Sequence, residues 1–211
     1  DLHTDEATFD IQFGNLTRKI HRNTSWDEAR FESCGQKWMD MSEGHYGVSM
    51  LNDCKYGHSA LDGVMTLTLI KSGIEPNPTA DQEEHTFTYA LYPHAEGWRQ
   101  AKTVQEAMKL NQPALSAEGG CAGDETSFVW IDKQNVIIET VKEAEDGDGV
   151  IIRLYESENA RTKAHISFEK PVASVESCDC VEKTKETVCV AGDGFDITIK
   201  PYEIQTYRVR F

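Results

Sequence analysis

The sequence lacks the apolar run of roughly 20 residues that a membrane-spanning helix needs, so we expect no membrane partner. Residues 1–10 also lack the basic and apolar regions of a secretory signal peptide. These two absences predict a cytoplasmic protein. The first residue is not methionine, and we therefore expect the sequence to be a fragment of a longer protein.

Positive charge is scarce in this chain. Its 211 residues include 36 Asp and Glu but only 21 Lys and Arg, which gives a formal net charge of −15. Nucleic acids and anionic membranes would be repelled by such a surface, so neither is expected as a partner. A neutral sugar is compatible with it. Hydrophobic residues make up 39% of the chain, which favours a folded core over disorder.

The cysteines do not follow the spacing of a disulfide-rich secreted scaffold, and a chain of this length needs no disulfide to fold. Zinc ligands commonly occur as CxxC or HxxxH pairs, and neither spacing occurs among these cysteines or between His45 and His58. The sequence therefore predicts no metal site and no cofactor in this chain. We expect reduced thiols at Cys34, Cys54, Cys121, Cys178, Cys180 and Cys189.

Strand patterns dominate the sequence. Short segments rich in β-branched and aromatic residues predict strands, and Gly-Asp-Gly turns at 147–149 and 192–194 separate several of them. One short helix is predicted near 103–111, with Thr103 as its N-cap and Glu106 as the capping-box partner. The predicted strands are 27–34, 48–51, 64–70, 86–91, 127–131, 136–141, 150–155, 164–168, 187–190, 195–199 and 205–211.

The Gly-rich segment 116–127 is the best candidate for a domain boundary. Long loops connect the strands before it. After it, strands recur about every ten residues with tight turns, which is typical of a small β-sandwich. We therefore predict an all-β fold with two domains, residues 1–122 and residues 123–211.

Several longer segments together carry a family resemblance. They are FGNLTRKIHRNTSWDEARFE at 13–32, KWMDMSEGHYGVSMLNDCKYG at 37–57, HTFTYALYPH at 85–94, IIRLYES at 151–157 and PYEIQTYRV at 201–209. In this order they resemble the C-terminal β-region of glycoside hydrolase family 38 α-mannosidases of the cytosolic and bacterial type. The resemblance implies part of a large, galactose-mutarotase-like β-sandwich followed by a small, immunoglobulin-like β-sandwich.

The resemblance also implies an activity for the intact protein, the hydrolysis of terminal non-reducing α-mannosyl residues with retention of configuration. In that family the aspartate nucleophile and a divalent metal, usually zinc, belong to an N-terminal barrel. We expect that barrel to lie outside this chain, so no catalytic residue is predicted here and the fragment alone should be inactive. The partners implied are the N-terminal catalytic domain of the same protein and an α-mannoside substrate, and a homo-oligomer is compatible with them.

Four residues are candidates for the rim of the substrate cleft in the intact enzyme. Asp53 and Tyr56 lie in the turn 52–57 between two strands, where polar groups could equally satisfy the turn backbone. Lys71 ends the strand MTLTLI where relatives often carry arginine, and a lysine loses the bidentate fork of arginine. His94 follows YALYP and is interpreted either as a hydrogen-bonded interface histidine or as a sugar contact.

Two other functions stay open from the sequence, an independent carbohydrate-binding module and a structural interaction domain without sugar contacts. A binding module needs two or three exposed aromatic rings on one sheet face. The exposure of the tryptophans and of Asp53, Lys71 and His94 discriminates among these functions. The tryptophans fall in separate segments, which does not indicate a common platform, at Trp26, Trp38, Trp98 and Trp130.

Overall fold

The computed structural model describes residues 2–119 and 126–211. The chain divides into two compact units, Asp1–Ser116 (unit 1) and Ala117–Phe211 (unit 2). The domain boundary that we predicted between residues 122 and 123 lies outside the described residues, as does Cys121. In the described ranges, no helix is long and apolar enough to cross a membrane.

Unit 1 is built from antiparallel sheets and short helices. Its elements are β1 (Glu6–Ile11), β2 (Gly14–Lys19), α1 (Ser25–Ala29), β3 (Ser33–Cys34), β4 (Trp38–Ser42), β5 (Tyr46–Asn52), β6 (Gly57–Leu61), β7 (Val64–Thr68), β8 (Tyr89–Ala95) and α2 (Thr103–Asn111). A five-stranded sheet has the order β2-β1-β4-β5-β8, and a three-stranded sheet has the order β3-β6-β7.

The five-stranded sheet of unit 1 has two chemically different faces, because successive side chains of a strand point to opposite sides. One face carries an apolar cluster rich in methionine, against which Ala60, Met65 and Leu67 pack. The other face carries buried polar side chains, and α2 packs against β4 and β5 of this sheet. The members of the apolar cluster are Ala7, Phe9, Met39, Met41 and Met50.

The helix α2 lies where it was predicted, but its N-terminus differs from the prediction. Lys102 is the N-cap, in the left-handed conformation, and makes no side-chain capping hydrogen bond. Thr103 is instead the first helical residue, is fully buried, and has its hydroxyl 2.9 Å from Ser49 Oγ. The prediction of a capping box at Thr103 and Glu106 is therefore wrong, because the sheet engages the hydroxyl that a cap would use.

The helix α1 lies where the strand 27–34 was predicted. Its capping box joins Thr24 to Asp27: Thr24 Oγ1 accepts from the amide of Asp27 at 3.2 Å, and Asp27 Oδ2 accepts from the amide of Thr24 at 3.1 Å. These reciprocal bonds satisfy amides that the first helical turn leaves free. Only Ser33–Cys34 of the predicted strand is extended, as β3.

Unit 2 is a β-sandwich. Its strands are β9 (Val129–Ile131), β10 (Val136–Glu143), β11 (Val150–Glu156), β12 (Thr162–Phe168), β13 (Ser174–Cys178), β14 (Thr184–Val188), β15 (Gly194–Ile199) and β16 (Ile204–Arg210). The sheets have the orders β10-β11-β16-β13-β14 and β15-β12-β9. A continuous apolar cluster contains buried residues from both sheets, among them Ile152, Ile166, Phe195 and Val209.

The acidic hairpin at 143–149 joins β10 to β11 and is neutralised by two arginines of β16. Arg208 Nη1 lies 2.7 Å from Asp146 Oδ2, and Arg210 Nη2 lies 2.9 Å from Asp148 Oδ2. Hydrogen bonds from these guanidinium groups lower the pKa of both carboxyl groups. Both aspartates are more than half exposed, so the pairs fix the hairpin tip but add little stability.

The predicted all-β class is confirmed, and α1 is an additional helix that the sequence analysis missed. Most predicted strands coincide with observed ones within a few residues, but the strands β1, β2, β4, β6 and β13 were not predicted. The clearest shift is β8, which begins at Tyr89 and runs to Ala95 instead of occupying 86–91. Pro93 fits this edge strand because proline has no backbone N–H, and on one side of an edge strand the N–H groups have no neighbouring strand to bond.

Candidate functional site

The turn 52–57 begins at a fully buried asparagine. Asn52 Nδ2 donates to the carbonyl of Gln36 at 2.8 Å. Its Oδ1 accepts from the amides of Cys54 at 3.1 Å and Lys55 at 2.6 Å, so the side chain closes the turn on itself. This arrangement is an Asx turn, in which a side-chain oxygen takes the place of a backbone carbonyl.

Asn52 is also tied to α2. The side-chain amide of Asn111, at the end of α2, donates to the carbonyl of Asn52 at 3.0 Å and to the carbonyl of Ala107 at 2.8 Å. The turn is therefore anchored from the sheet and from the helix. The sequence did not single out Asn52 as the residue that closes the turn, although an asparagine at the end of a strand is a recognised turn signal.

Asp53 is half-buried and bridges the end of β5 to the residue before β8. Its Oδ2 accepts from the amide of Thr88 at 3.0 Å, and its own amide donates to the carbonyl of Thr88 at 3.1 Å. The thiol of Cys54, and next the amide of Thr88, lower the pKa of Asp53. Its Oδ1 is excluded from solvent and makes no hydrogen bond of normal geometry with a described residue, so the thiol contact is a weak one.

Tyr56 and Lys71 lie near the same end of the β6–β7 ladder, because Gly57 pairs with Thr68 there. The side chain of Tyr56 is exposed. Lys71 Nζ lies 3.6 Å from Glu32 Oε2, and Thr68 Oγ1 donates to Glu32 Oε1 at 2.5 Å. The lysine thus has a carboxylate partner within unit 1.

His94 belongs to a buried polar cluster on the α2 side of the larger sheet, formed with Asp40, Ser49 and Thr103. His94 Nε2 donates to Asp40 Oδ2 at 2.8 Å, and Ser49 Oγ donates to the same oxygen at 2.7 Å. The hydroxyl of Thr103 completes the cluster through Ser49. Because only 3% of the His94 side chain is exposed, its hydrogen bonds are made inside unit 1.

Gly47 makes room for this histidine. It pairs with His94 across the β5–β8 ladder, and a Cβ at this position would overlap the imidazole ring and the side chain of Ser42. Ser42 in turn donates to Asp40 Oδ1. A glycine is therefore required here by the close approach of the cluster to the backbone.

The four predicted rim residues do not form a single group. Asp53 and Tyr56 share one turn. Lys71 follows β7, whose last residue pairs with the last residue of that turn. His94 lies five residues along β8 from Tyr89, which pairs with Asn52, a separation of about 17 Å along an extended strand. The turn 52–57 with Lys71 is therefore one candidate site, and the cluster of His94 is another.

The tryptophans separate into buried and exposed pairs. Trp38 and Trp98 are buried in unit 1, with ring centroids 5.1 Å apart. Trp26 is 80% exposed in unit 1, and Trp130 is 44% exposed in unit 2. The exposed tryptophans therefore belong to different units.

The possible metal ligands of this chain are not grouped together. In the part of the chain that the structure describes, no group of three or more His, Cys, Asp or Glu residues is arranged to hold a metal ion. His3 and Asp5 have the His-x-Asp spacing, and Asp5 Oδ2 pairs with Lys19 Nζ at 2.7 Å.

Both units match models of known domains. Residues 1–79 match the glycosyl hydrolases family 38 C-terminal domain, and residues 135–207 match the glycosyl hydrolases family 38 C-terminal beta sandwich domain. Together the two matches cover more than half of the chain, one in each unit. Both units are therefore β-domains of the kind found in glycoside hydrolases. The chain belongs to glycoside hydrolase family 38, of which it comprises C-terminal domains.

Curated relatives match nearly all of the chain. Alpha-mannosidase G of Dictyostelium discoideum is 35% identical over 98% of it, and Alpha-mannosidase 2C1 of Homo sapiens is 35% identical over 96%. The Alpha-mannosidase of Saccharomyces cerevisiae is 32% identical over the full chain. The chain spans only about a fifth of the length of these relatives, between 20% and 22%.

Solved structures share the fold. An alpha-mannosidase from Enterococcus faecalis V583 superposes with a TM-score of 0.76 at 19% identity, over 97% of this chain and 24% of that one. A second structure, of a protein in the Glycosyl Hydrolase Family 38 from Enterococcus faecalis, gives a TM-score of 0.73 over 97% of this chain and 25% of that one. At this level of identity the similarity concerns the fold alone.

Proposed function

We propose that this chain is the C-terminal β-region of a cytoplasmic α-mannosidase that removes terminal non-reducing α-mannosyl residues with retention of configuration. The observation that carries the proposal is the match over nearly the whole chain to relatives named as alpha-mannosidases. The free cysteines among the described residues fit a reducing compartment.

In this proposal the nucleophile and the divalent metal, zinc or a similar ion, belong to the N-terminal catalytic domain of the same protein. The carboxylates of unit 1 described above accept from lysines, hydroxyls, an amide and His94, and no group in the described ranges is arranged to hold a metal ion. The role of this chain is to support the catalytic domain and to contribute to the rim of its cleft.

Asp53 is the residue through which the chain reaches the α-mannoside or the catalytic domain. Its backbone and Oδ2 are fixed by Thr88, so the carboxylate loses little freedom on binding. The thiol of Cys54 and the amide of Thr88 lower the pKa of Asp53, which favours the ionised carboxylate. An ionised, half-buried carboxylate can accept from a hydroxyl or N–H donor that a partner supplies. Tyr56, in the same turn, adds an exposed ring and a hydroxyl.

The edge strand β8 offers a surface for the catalytic domain. It ends the larger sheet in the described part of unit 1, and its Tyr89 and Leu91 are 55% and 63% exposed. Apolar side chains beside unpaired backbone groups favour association, and native proteins usually cover such an edge. A covering domain of the same protein satisfies both requirements.

An activity assay on separated parts tests the proposal. The 211-residue chain, given an aryl α-mannoside and added zinc or cobalt, is expected to show no turnover. The remainder of the full-length protein, produced separately and mixed with this chain, is expected to gain stability and activity in proportion to the amount bound. Turnover by the chain alone that disappears when one of its carboxylates is mutated would contradict the proposal.

A further inference from the structure

A pocket in unit 1 is rich in cationic side chains. It is bounded by the end of β2, by the segment around α1 and by β6, and Phe9 is among its apolar lining residues. Four cationic side chains and one carboxylate, that of Asp27, line it; the cations are Arg18, Lys19, Arg22 and Arg30. The chain has a net charge of −15, so this group of positive side chains has the opposite sign to the molecule as a whole.

Only part of this positive charge is neutralised within the chain. Lys19 pairs with Asp5 at 2.7 Å, and Arg30 pairs with Asp27 at 2.7 Å. Neither Arg18 nor Arg22 has an ion pair or a side-chain hydrogen bond with any residue in the described ranges. Two guanidinium groups therefore remain available at the pocket.

Arg18 supplies a second observation that points to a ligand. It pairs with Ala7 across the β1–β2 ladder, so its side chain leaves the sheet on the face that carries the apolar cluster. Its Nε is excluded from solvent and has no acceptor among the described residues. Burial of an N–H group without an acceptor is costly, and such a group in a native protein calls for a bound water, ion or ligand.

We propose that this pocket binds an oxyanion, a phosphate or carboxylate group, between the guanidinium groups of Arg18 and Arg22. Each planar guanidinium presents two parallel N–H donors that match two oxygens of such a group. Asp27 holds Arg30 at the wall of the pocket, so Arg30 adds charge while its fork stays engaged. A neutral mannoside has no charge to match, so the ligand of this pocket differs in chemistry from the proposed substrate.

Titration of the 211-residue chain with inorganic phosphate at low ionic strength tests the site, with acetate and chloride at matched ionic strength in parallel. We expect saturable phosphate binding that weakens at least about tenfold in Arg18→Gln and in Arg22→Gln, since each removes one charge-assisted contact. Arg161→Gln, which removes an exposed arginine of unit 2, is the matched control and should bind as the unaltered chain does.

Each outcome decides the proposal. If acetate saturates the site and phosphate does not, the bound group is a carboxylate. If phosphate saturates it, the group is a phosphate, and both results support the site. Binding no stronger than that of chloride, or equal weakening in Arg161→Gln, overturns it. Arg22 is exposed, so Arg22→Gln remains a folded test if Arg18→Gln unfolds unit 1.

Discussion

The two units are both strand-rich, yet they are stabilised by different interiors. The central cluster of unit 2 contains thirteen buried apolar residues drawn from both of its sheets, whereas the cluster between the sheets of unit 1 contains five. Unit 1 also buries polar side chains on the opposite face of its larger sheet, beside Trp38 and Leu51. They are Thr8, Asp10, Asp40, Ser49 and His94.

The two interiors differ in how strictly they determine a single packing arrangement. Burying apolar area stabilises unit 2 without fixing any one contact. Buried polar groups cost energy unless every partner is present, so those of unit 1 enforce one arrangement. In unit 2 a buried carboxylate, Glu156, accepts hydrogen bonds from Asn135, Glu158 and Tyr202 and so fixes the loops that contain them. In unit 1 the buried Asn52 closes the turn that carries Asp53.

The largest expected effect is a truncation in the core of unit 2. Phe168 is 1% exposed and its ring contacts those of Phe128, Phe195 and Phe211. Phe168→Ala should lower the free energy of unfolding of unit 2 by about 3–5 kcal/mol, because it leaves a cavity. Urea denaturation measures this loss.

The control for this truncation is Val141→Ala on β10, where the side chain is 47% exposed and the loss should stay below about 0.5 kcal/mol. Equal losses in Phe168→Ala and Val141→Ala would show that unit 2 does not depend on its apolar interior.

A double-mutant cycle on the buried pair of unit 1 gives the next largest effect. Asp40→Asn and His94→Gln should each destabilise unit 1 by about 3 kcal/mol, because each leaves a buried partner without its counterpart. The two effects should be non-additive by about 1 kcal/mol or more. Urea denaturation of the single and double variants measures the coupling.

Unit 2 offers a matched pair for this cycle. His165 Nδ1 lies 2.7 Å from Asp196 Oδ1, but 84% of the Asp196 side chain is exposed. The same cycle there should give a coupling below about 1 kcal/mol, since solvent screens the charges. Similar coupling in both pairs would remove the contrast between the units.

A smaller effect is the pH dependence of unit 1. Burial lowers the pKa of His58 below its ordinary value of 6.5, while the carbonyl of Tyr56 and the charge of Glu32 oppose the shift. Between the unfolded and the folded pKa, the unfolded state binds more protons, so stability falls as the pH falls below about 6.5. Above pH 7 this contribution is complete.

Thermal melting of the chain between pH 7.5 and 5 measures this slope. His58→Gln should flatten it, although the substitution itself lowers stability. The buried Asp10 has a raised pKa because of desolvation, and it contributes with the opposite sign, so the comparison of His58→Gln with the unaltered chain isolates the part due to His58. Stability of unit 1 that rises on acidification from pH 7 to 5 would contradict the assignment.

The sequence predicted seven of the eight described strands of unit 2, because alternation and tight turns are local signals, but it missed β13. It also placed Asp53 and Tyr56 in a turn between two strands. The interior of unit 1 was not predictable in this way, because Asp40 meets His94 across 54 residues of sequence. The same long-range packing engages Thr103 and so defeats its expected role as a helix cap.

The shortest elements were missed for a different reason. The helix α1 has only five residues, too few for a periodic apolar pattern, and its capping box uses aspartate at the position where glutamate is the usual signal. The Arg18 and Arg22 pocket has no motif at all, since its walls come from β2, the following loop and α1. Such a site becomes visible only when the strands are paired.

Kinetics of the full-length protein with Asp53→Asn test whether the turn 52–57 of unit 1 reaches the proposed mannoside cleft. This substitution keeps an acceptor for the amide of Thr88, so thermal stability should change by less than about 0.5 kcal/mol. We expect kcat/KM to fall by about tenfold to a hundredfold, or roughly 1.4–2.7 kcal/mol of transition-state binding. Asp62→Asn, in the exposed turn between β6 and β7, should leave both quantities unchanged. Unchanged kcat/KM with a lowered melting temperature in Asp53→Asn would mean that Asp53 only holds the turn and does not reach the cleft.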